Sequence, residues 1–310
     1  MNRKRLQSLG LLLAVTLSSL ALAQQKGTIT IGSKLDSEGQ LLGQMMRLTL
    51  EHAGFTIKAQ IPTGNTFVTR KALLEGQIDI YPEYTGSAIN NFFKGQKIDP
   101  TAPSRAAQSF AIVKTLDLKL NNIAWLERAP ANNTFAVCIP KTLADKEGLR
   151  SLVNFAAYVN KGGAVKIVGS QEFFERADAF PSFEKAYGFQ LKPEQKVVIA
   201  GATTSQTEQA AANNTDGANA AMAYGTDGAV AALGLVVLSD PKGAQPVYQP
   251  APTVRGEVLK KYPEIAKLLA PVFKGLTLPV LQNLNKQIDL DGKAPAEVAQ
   301  TYLANKGFLK

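Results

Sequence analysis

Alternation in the first third of the chain is the strongest constraint on what it can fold into. Residues 28–32 alternate as a strand. A helix follows, with Leu41, Met45 and Leu48 on one face and Gly54 as its stop. Residues 55–61 form the next strand, and Thr63-Gly64-Asn65-Thr66 is a turn able to start a helix, with Thr66 as its expected N-cap. That helix is expected over 67–75, with Gly76 just past its end. A third strand around Ile78 and Ile80 is expected to stop at Pro82, which has no N–H for a ladder bond. Strand, helix, strand, helix, strand in this rhythm predicts an open α/β sheet. Such sheets take ligands beyond the carboxyl ends of their strands. The loops at Ser33-Lys34 and Tyr84-Thr85-Gly86-Ser87 both follow strands and so share that edge.

The remainder continues in the same manner. A helix is expected over 104–116 and a strand over 123–126, running into Ala129-Pro130-Ala131-Asn132-Asn133, a Pro/Asn cluster suited to a crossing between domains. Strands are expected over 135–139, 165–169, 197–200, 219–224 and 235–239, and helices over 148–160 and 183–187. After the turn Asp240-Pro241-Lys242-Gly243 comes Pro246-Val247-Tyr248-Gln249-Pro250. Three helices close the chain, over 258–273, 279–288 and 295–306, with Pro295 at a first helical position. Two strand-rich halves with a return crossing suggest a clamshell. Its first lobe would take residues 26–131 and 240–310, and its second residues 132–239, with a small-ligand cleft between them.

Composition narrows the function. The 310 residues are 45% apolar and 19% charged, the profile of a globular chain long enough for two domains. Residues 1–23 have the form of a secretory signal: Arg3, Lys4 and Arg5, an apolar run over 9–17, and Ala21-Leu22-Ala23 before a cut. The run is short for a membrane span. Cleavage would remove three basic and no acidic residues, taking +9 to +6. The remaining basic residues are scattered, which argues against a nucleic-acid partner. No cysteine marks a lipid anchor, so a free periplasmic or secreted protein is expected. Cys138 is the one cysteine and lies in an apolar run, so no internal disulfide forms and the core must supply stability. His52 is the one histidine and falls in a helix as a surface or packing residue. One His and one Cys leave no material for a histidine-dependent nucleophile or the usual zinc sets, so neither a metal nor a cofactor is expected.

Taken singly, the candidate site residues stay ambiguous. Tyr84 and Tyr224 each close a strand, Tyr248 can pack on Pro246 and Pro250, and Arg176 can pair at the surface with Glu172, Glu175 or Asp178. As an ordered set they carry more. Ile31-Gly32-Ser33-Lys34, Tyr81-Pro82-Glu83-Tyr84-Thr85-Gly86, Ala129-Pro130-Ala131-Asn132-Asn133-Thr134, Arg176-Ala177-Asp178 and Ala223-Tyr224-Gly225-Thr226-Asp227-Gly228 resemble the glycine betaine/choline-binding proteins of ABC importers. The similarity runs from about residue 28 to the end.

The resemblance implies a two-lobed periplasmic binding fold of type II, two α/β domains joined by a two-segment hinge. It implies a non-enzymatic receptor, monomeric, that delivers an osmoprotectant to an ABC permease in the inner membrane. It also implies a cage of rings around a quaternary ammonium, built from Tyr84 and Tyr248 on the first lobe and Phe135 and Tyr224 on the second. Arg176 would hold the ligand carboxylate, with Lys34 and Ser87 assisting. Phe135 stands where relatives often have tyrosine, and Ser87 where some have threonine. The chemistry agrees with such a cage, because a trimethylammonium has no N–H and is recognised by shape and by the negative faces of rings. The competing expectation is an amino acid or other cationic solute in the same cleft. Asp227 and Glu83 are expected to fix their turns.

Overall fold

The structure is a computed structural model that describes residues 26–99 and 101–309. The expected signal segment lies outside the described residues.

Among the described residues, ten strands form two five-stranded sheets. The first contains β1 (Thr28–Lys34), β2 (Thr56–Gly64), β3 (Ile80–Tyr84), β4 (Ile123–Trp125) and β10 (Pro250–Arg255), in the order β2-β1-β3-β10-β4. The second contains β5 (Phe135–Pro140), β6 (Ile167–Ser170), β7 (Lys196–Ile199), β8 (Ala220–Tyr224) and β9 (Leu235–Val237), in the order β7-β6-β8-β5-β9. Each sheet has parallel pairs on one side, β1 with β2 and β3 or β6 with β7 and β8. Each is completed by an antiparallel strand, β10 or β5, that returns from the other part of the chain. The product is two lobes, each an α/β sheet faced by helices.

The first α/β repeat forms because its helix is two-sided. In the helix Ser37–His52, Leu41, Leu42, Met45, Met46 and Leu50 are buried, and Asp36 caps the first turn by accepting from Gly39 N. Leu48, expected on the same face, is only partly buried. The next helix is Thr66–Leu74, one residue earlier than expected. Its cap is Asn65, whose Oδ1 accepts from Phe67 N and Val68 N, and Thr66 is the first helical residue. His52 is exposed, and Cys138 is a free, buried thiol.

Four expectations need correction. β3 does not stop at Pro82 but runs on to Tyr84. Pro82 lies directly opposite Pro252 of β10, and the Pro252 carbonyl points the other way, accepting from Leu126 N. The two ring nitrogens thus fall at a pair that exchanges no ladder bonds, and neither proline interrupts the sheet. Second, β10 was not among the expected strands. Third, the helix expected over 258–273 is two helices, Gly256–Lys261 and Glu264–Lys274, broken around Pro263. Fourth, the helix expected over 148–160 begins only at Leu152, and Lys141–Glu147 is a separate helix before it. Among the described residues, no helix is long and apolar enough to cross a membrane.

Candidate functional site

The carboxyl ends of β1, β3, β6 and β8 face one cavity of about 570 Å³, the edge where an open α/β sheet leaves its loops free. Both lobes contribute to its wall. Tyr84, Tyr248, Phe135, Tyr224, Arg176, Lys34 and Ser87 all line it.

Strand pairing places the rings. Phe135 and Tyr224 are register partners on β5 and β8, and their ring centroids are 5.0 Å apart. Tyr248 meets Phe135 edge to face, centroids 5.9 Å apart at 83°. Tyr84 ends β3 opposite Pro250, which brings it near Tyr248 two residues earlier. Gly86 is required here, since a Cβ at that position would lie 2.9 Å from the Tyr248 ring. Tyr84, Phe135 and Tyr248 are buried, and Tyr224 is half-buried at the cavity wall.

The charged groups are tightly engaged with the protein itself. Arg176 is not a surface residue; it is buried. Its Nε and Nη2 bind Asp178 at 3.0 and 2.6 Å, its Nη1 binds Glu172 at 2.7 Å, and Nη2 also reaches Ser87 Oγ across the cleft at 3.4 Å. Its guanidinium lies 5.3 Å from the Phe135 centroid. These carboxylates push the already high arginine pKa further up despite burial, and Arg176 in turn holds Asp178 and Glu172 below the usual carboxylate range against the opposing effect of desolvation. Asp178 also accepts from Tyr248 OH at 2.7 Å, which ties it to the segment leading into β10. Lys34 Nζ binds Glu83 at 2.5 Å and sits 4.9 Å from the Tyr84 centroid. Glu83 also accepts from Tyr81 OH and Tyr84 N, and Asp227 accepts from Tyr224 N, as expected of residues that fix their turns.

Sequence reasoning missed several wall residues. Asp36, Asn65, Thr66, Phe67, Asn91 and Met222 line the cavity as well. Phe67 stands 49% exposed, a large ring left at the surface. Asn65 and Asp36 carried a usable signal, since helix-capping residues after parallel strands fall on the ligand edge.

The comparisons with known proteins decide the family. Residues 27–305 match the family described as the substrate binding domain of ABC-type glycine betaine transport system. The chain belongs to this family. It is a substrate-binding protein and not an enzyme. It is 46% identical over 297 residues to the glycine betaine-binding protein YehZ of Escherichia coli, covering 96% of each chain. It is 30% identical to a glycine-betaine-binding protein of Pseudomonas aeruginosa, covering 92% of this chain and 90% of that one. Another relative, the ergothioneine transport permease/ergothioneine binding protein EgtU of Helicobacter pylori, is 30% identical over 92% of this chain and 49% of its own length. Among solved structures, apo YehZ superposes with a TM-score of 0.66 at 47% identity, covering 91% of this chain and 99% of that one. Lactococcal OpuAC closed on glycine betaine superposes at 0.60 and 15% identity, covering 92% and 100%, which shows the shared two-lobed fold.

Proposed function

We propose that this protein captures glycine betaine or a related quaternary ammonium solute between its lobes and hands it to an ABC permease. The observation that carries this is the convergence on one cavity of Tyr84 from the first sheet, Phe135 and Tyr224 from the second, and Tyr248 from the segment leading into β10. Each desolvated ring face contributes roughly 0.5–2 kcal/mol toward a permanent cation. Lys34, Lys94 and Arg176 line the wall with Asp36, Glu172 and Glu175, and Glu83 and Asp178 behind it leave the surroundings acidic on balance. Lys34 is neutralised by Glu83. In this proposal the lobes are residues 26–131 with 240–310, and 132–239, hinging near Ala131 and Ser239. The protein acts as a monomer outside the cytoplasmic membrane, exported by residues 1–23.

Arg176 is assigned to the ligand carboxylate. Three of its nitrogens are engaged, which leaves one Nη1 hydrogen and the route of displacing Glu172, the more exposed of its two partners. The same arrangement favours a second reading: a cation without a carboxylate, such as choline, which needs nothing from Arg176. Titration calorimetry with glycine betaine, choline, proline betaine and amino acids separates these outcomes. Heat with betaines supports the proposal, and heat with choline alone supports the second reading. Heat only with amino acids overturns both.

A further inference from the structure

The helix Ser37–His52 begins with a buried carboxylate that does not line the ligand cavity. Glu38 Oε1 accepts from Tyr84 OH at 3.0 Å and from Asn133 Nδ2 at 2.8 Å, and Oε2 accepts from Asn285 Nδ2 at 2.8 Å. Among the described residues no cation pairs with it. The side-chain oxygens of Asn133 and Asn285 are both buried without a partner. Each amide therefore turns its NH2 to Glu38 and leaves its own acceptor unmet, an arrangement that suits a group offering acceptors only.

The three donors come from three different places. Tyr84 ends β3 of the first sheet, and Asn133 lies on the crossing between the lobes. Asn285 sits in the helix Leu278–Asp289. Asn285 Nδ2 also donates to Thr226 O at 3.0 Å, and Gln282 Nε2 donates to Gly225 O at 3.1 Å. Both acceptors belong to the turn after β8, directly beyond Tyr224 of the second sheet. The approach is close, since a Cβ on Gly228 would fall 2.0 Å from Gln282 O.

We propose that Glu38 is a positioning residue that fixes the Tyr84 ring and the contact between helix 278–289 and turn 225–228 as one unit. One carboxylate thereby sets a wall of the cage on the first lobe and the seat of the second lobe beside Tyr224. The ligand-related half of this rests on the function proposed above; the inter-lobe half does not.

The test combines amide hydrogen exchange with titration of glycine betaine on the full chain. Glu38→Gln replaces an acceptor by an NH2, so a donor meets a donor. Either Asn285 turns over and releases Thr226 O, or the Tyr84 and Asn133 donors lose their acceptor. Exchange at residues 225–228 is expected to rise by about fivefold or more in Glu38→Gln and in Asn285→Ala, with β5 and β8 unchanged. Tyr84→Phe keeps the ring and is expected to weaken betaine binding about tenfold, but to have little further effect once Glu38 is Gln. A merely structural role would instead raise exchange across the lobe and leave the two affinity losses multiplicative. Unchanged exchange at 225–228 together with multiplicative losses in Glu38→Gln overturns the proposal, as does unchanged exchange there in Asn285→Ala. If the wild-type protein binds no betaine, the ligand assignment fails and the exchange result alone decides. Asn285→Ala serves if Glu38→Gln does not fold.

Discussion

Tyr224 presents a half-buried ring to the cavity, backed by its cross-strand partner Phe135. Tyr224→Ala removes both the cation-attracting face and the packing around it, and is expected to weaken betaine binding by roughly 1–3 kcal/mol in titration calorimetry. Arg176→Ala separates two roles. It removes the donor proposed for the ligand carboxylate and leaves Asp178 and Glu172 without their cation. Betaine affinity is expected to fall by at least about tenfold, while choline affinity holds or rises because the wall becomes more acidic. Equal losses for both ligands would show that the arginine only supports the fold. Tyr84 and Tyr224, which end strands, and Tyr248, which lies between prolines, stood out in the sequence, whereas Phe135 opens its strand and was named only through the family resemblance. Glu38 was not: its partners lie 46, 95 and 247 residues away, and no local pattern signals such a convergence. The engagement of Arg176 was half legible, since Asp178 and Glu172 lie two and four residues off, but burial turned an expected surface pair into a buried one.

At the scale of elements, the N-cap of helix Thr66–Leu74 shows how local chemistry serves the site. Asn65 satisfies two first-turn amides and lines the cavity. Asn65→Ala is expected to cost about 1 kcal/mol of stability in denaturant unfolding, and typical cap losses bound it near 0.5–2. Most strands and helices were legible from periodicity and glycine stops. Two of the failures turn on proline. At Pro82 it was taken as a terminator, although prolines opposed at a pair without ladder bonds leave the sheet intact. At Pro263 a break within an apolar pattern was overlooked because both flanking segments keep helical spacing. Whether a proline ends a strand depends on which way its nitrogen faces, and that is a property of the neighbouring strand.

At the scale of the whole molecule, a pair of acids under the Tyr224 turn links stability to pH. Glu208 and Asp227 share a hydrogen bond. Burial pushes Glu208 up to about 7, with Asp289 acting in the same direction, and burial and then Glu208 push Asp227 well above the usual range. Thr204 Oγ1 and Tyr224 N donate to Asp227. A carboxyl raised in the folded chain holds its proton where the unfolded chain has released it. Stability from Glu208 is therefore full below about pH 4.5 and lost as pH climbs through about 7, by on the order of 3 kcal/mol, and Asp227 adds to the loss in the same direction. Asp227→Asn keeps an acceptor for Tyr224 N and a donor for Glu208, and is expected to flatten that fall in melting temperature. An equally steep profile in the variant would place the pH response elsewhere.

The placement of β10 between β3 and β4 carries a kinetic consequence. Residues 250–255 follow the entire second sheet in the chain, yet they fill a gap in the first. A polypeptide emerging from its amino end can finish the later sheet while the earlier one still lacks its middle. Closing that gap joins partners about 170 residues apart, a slow, long-range step. The lobe that begins the chain is thus the last to be completed, and β3, which ends in Tyr84, gains its second neighbour only when the rest of the molecule has been made.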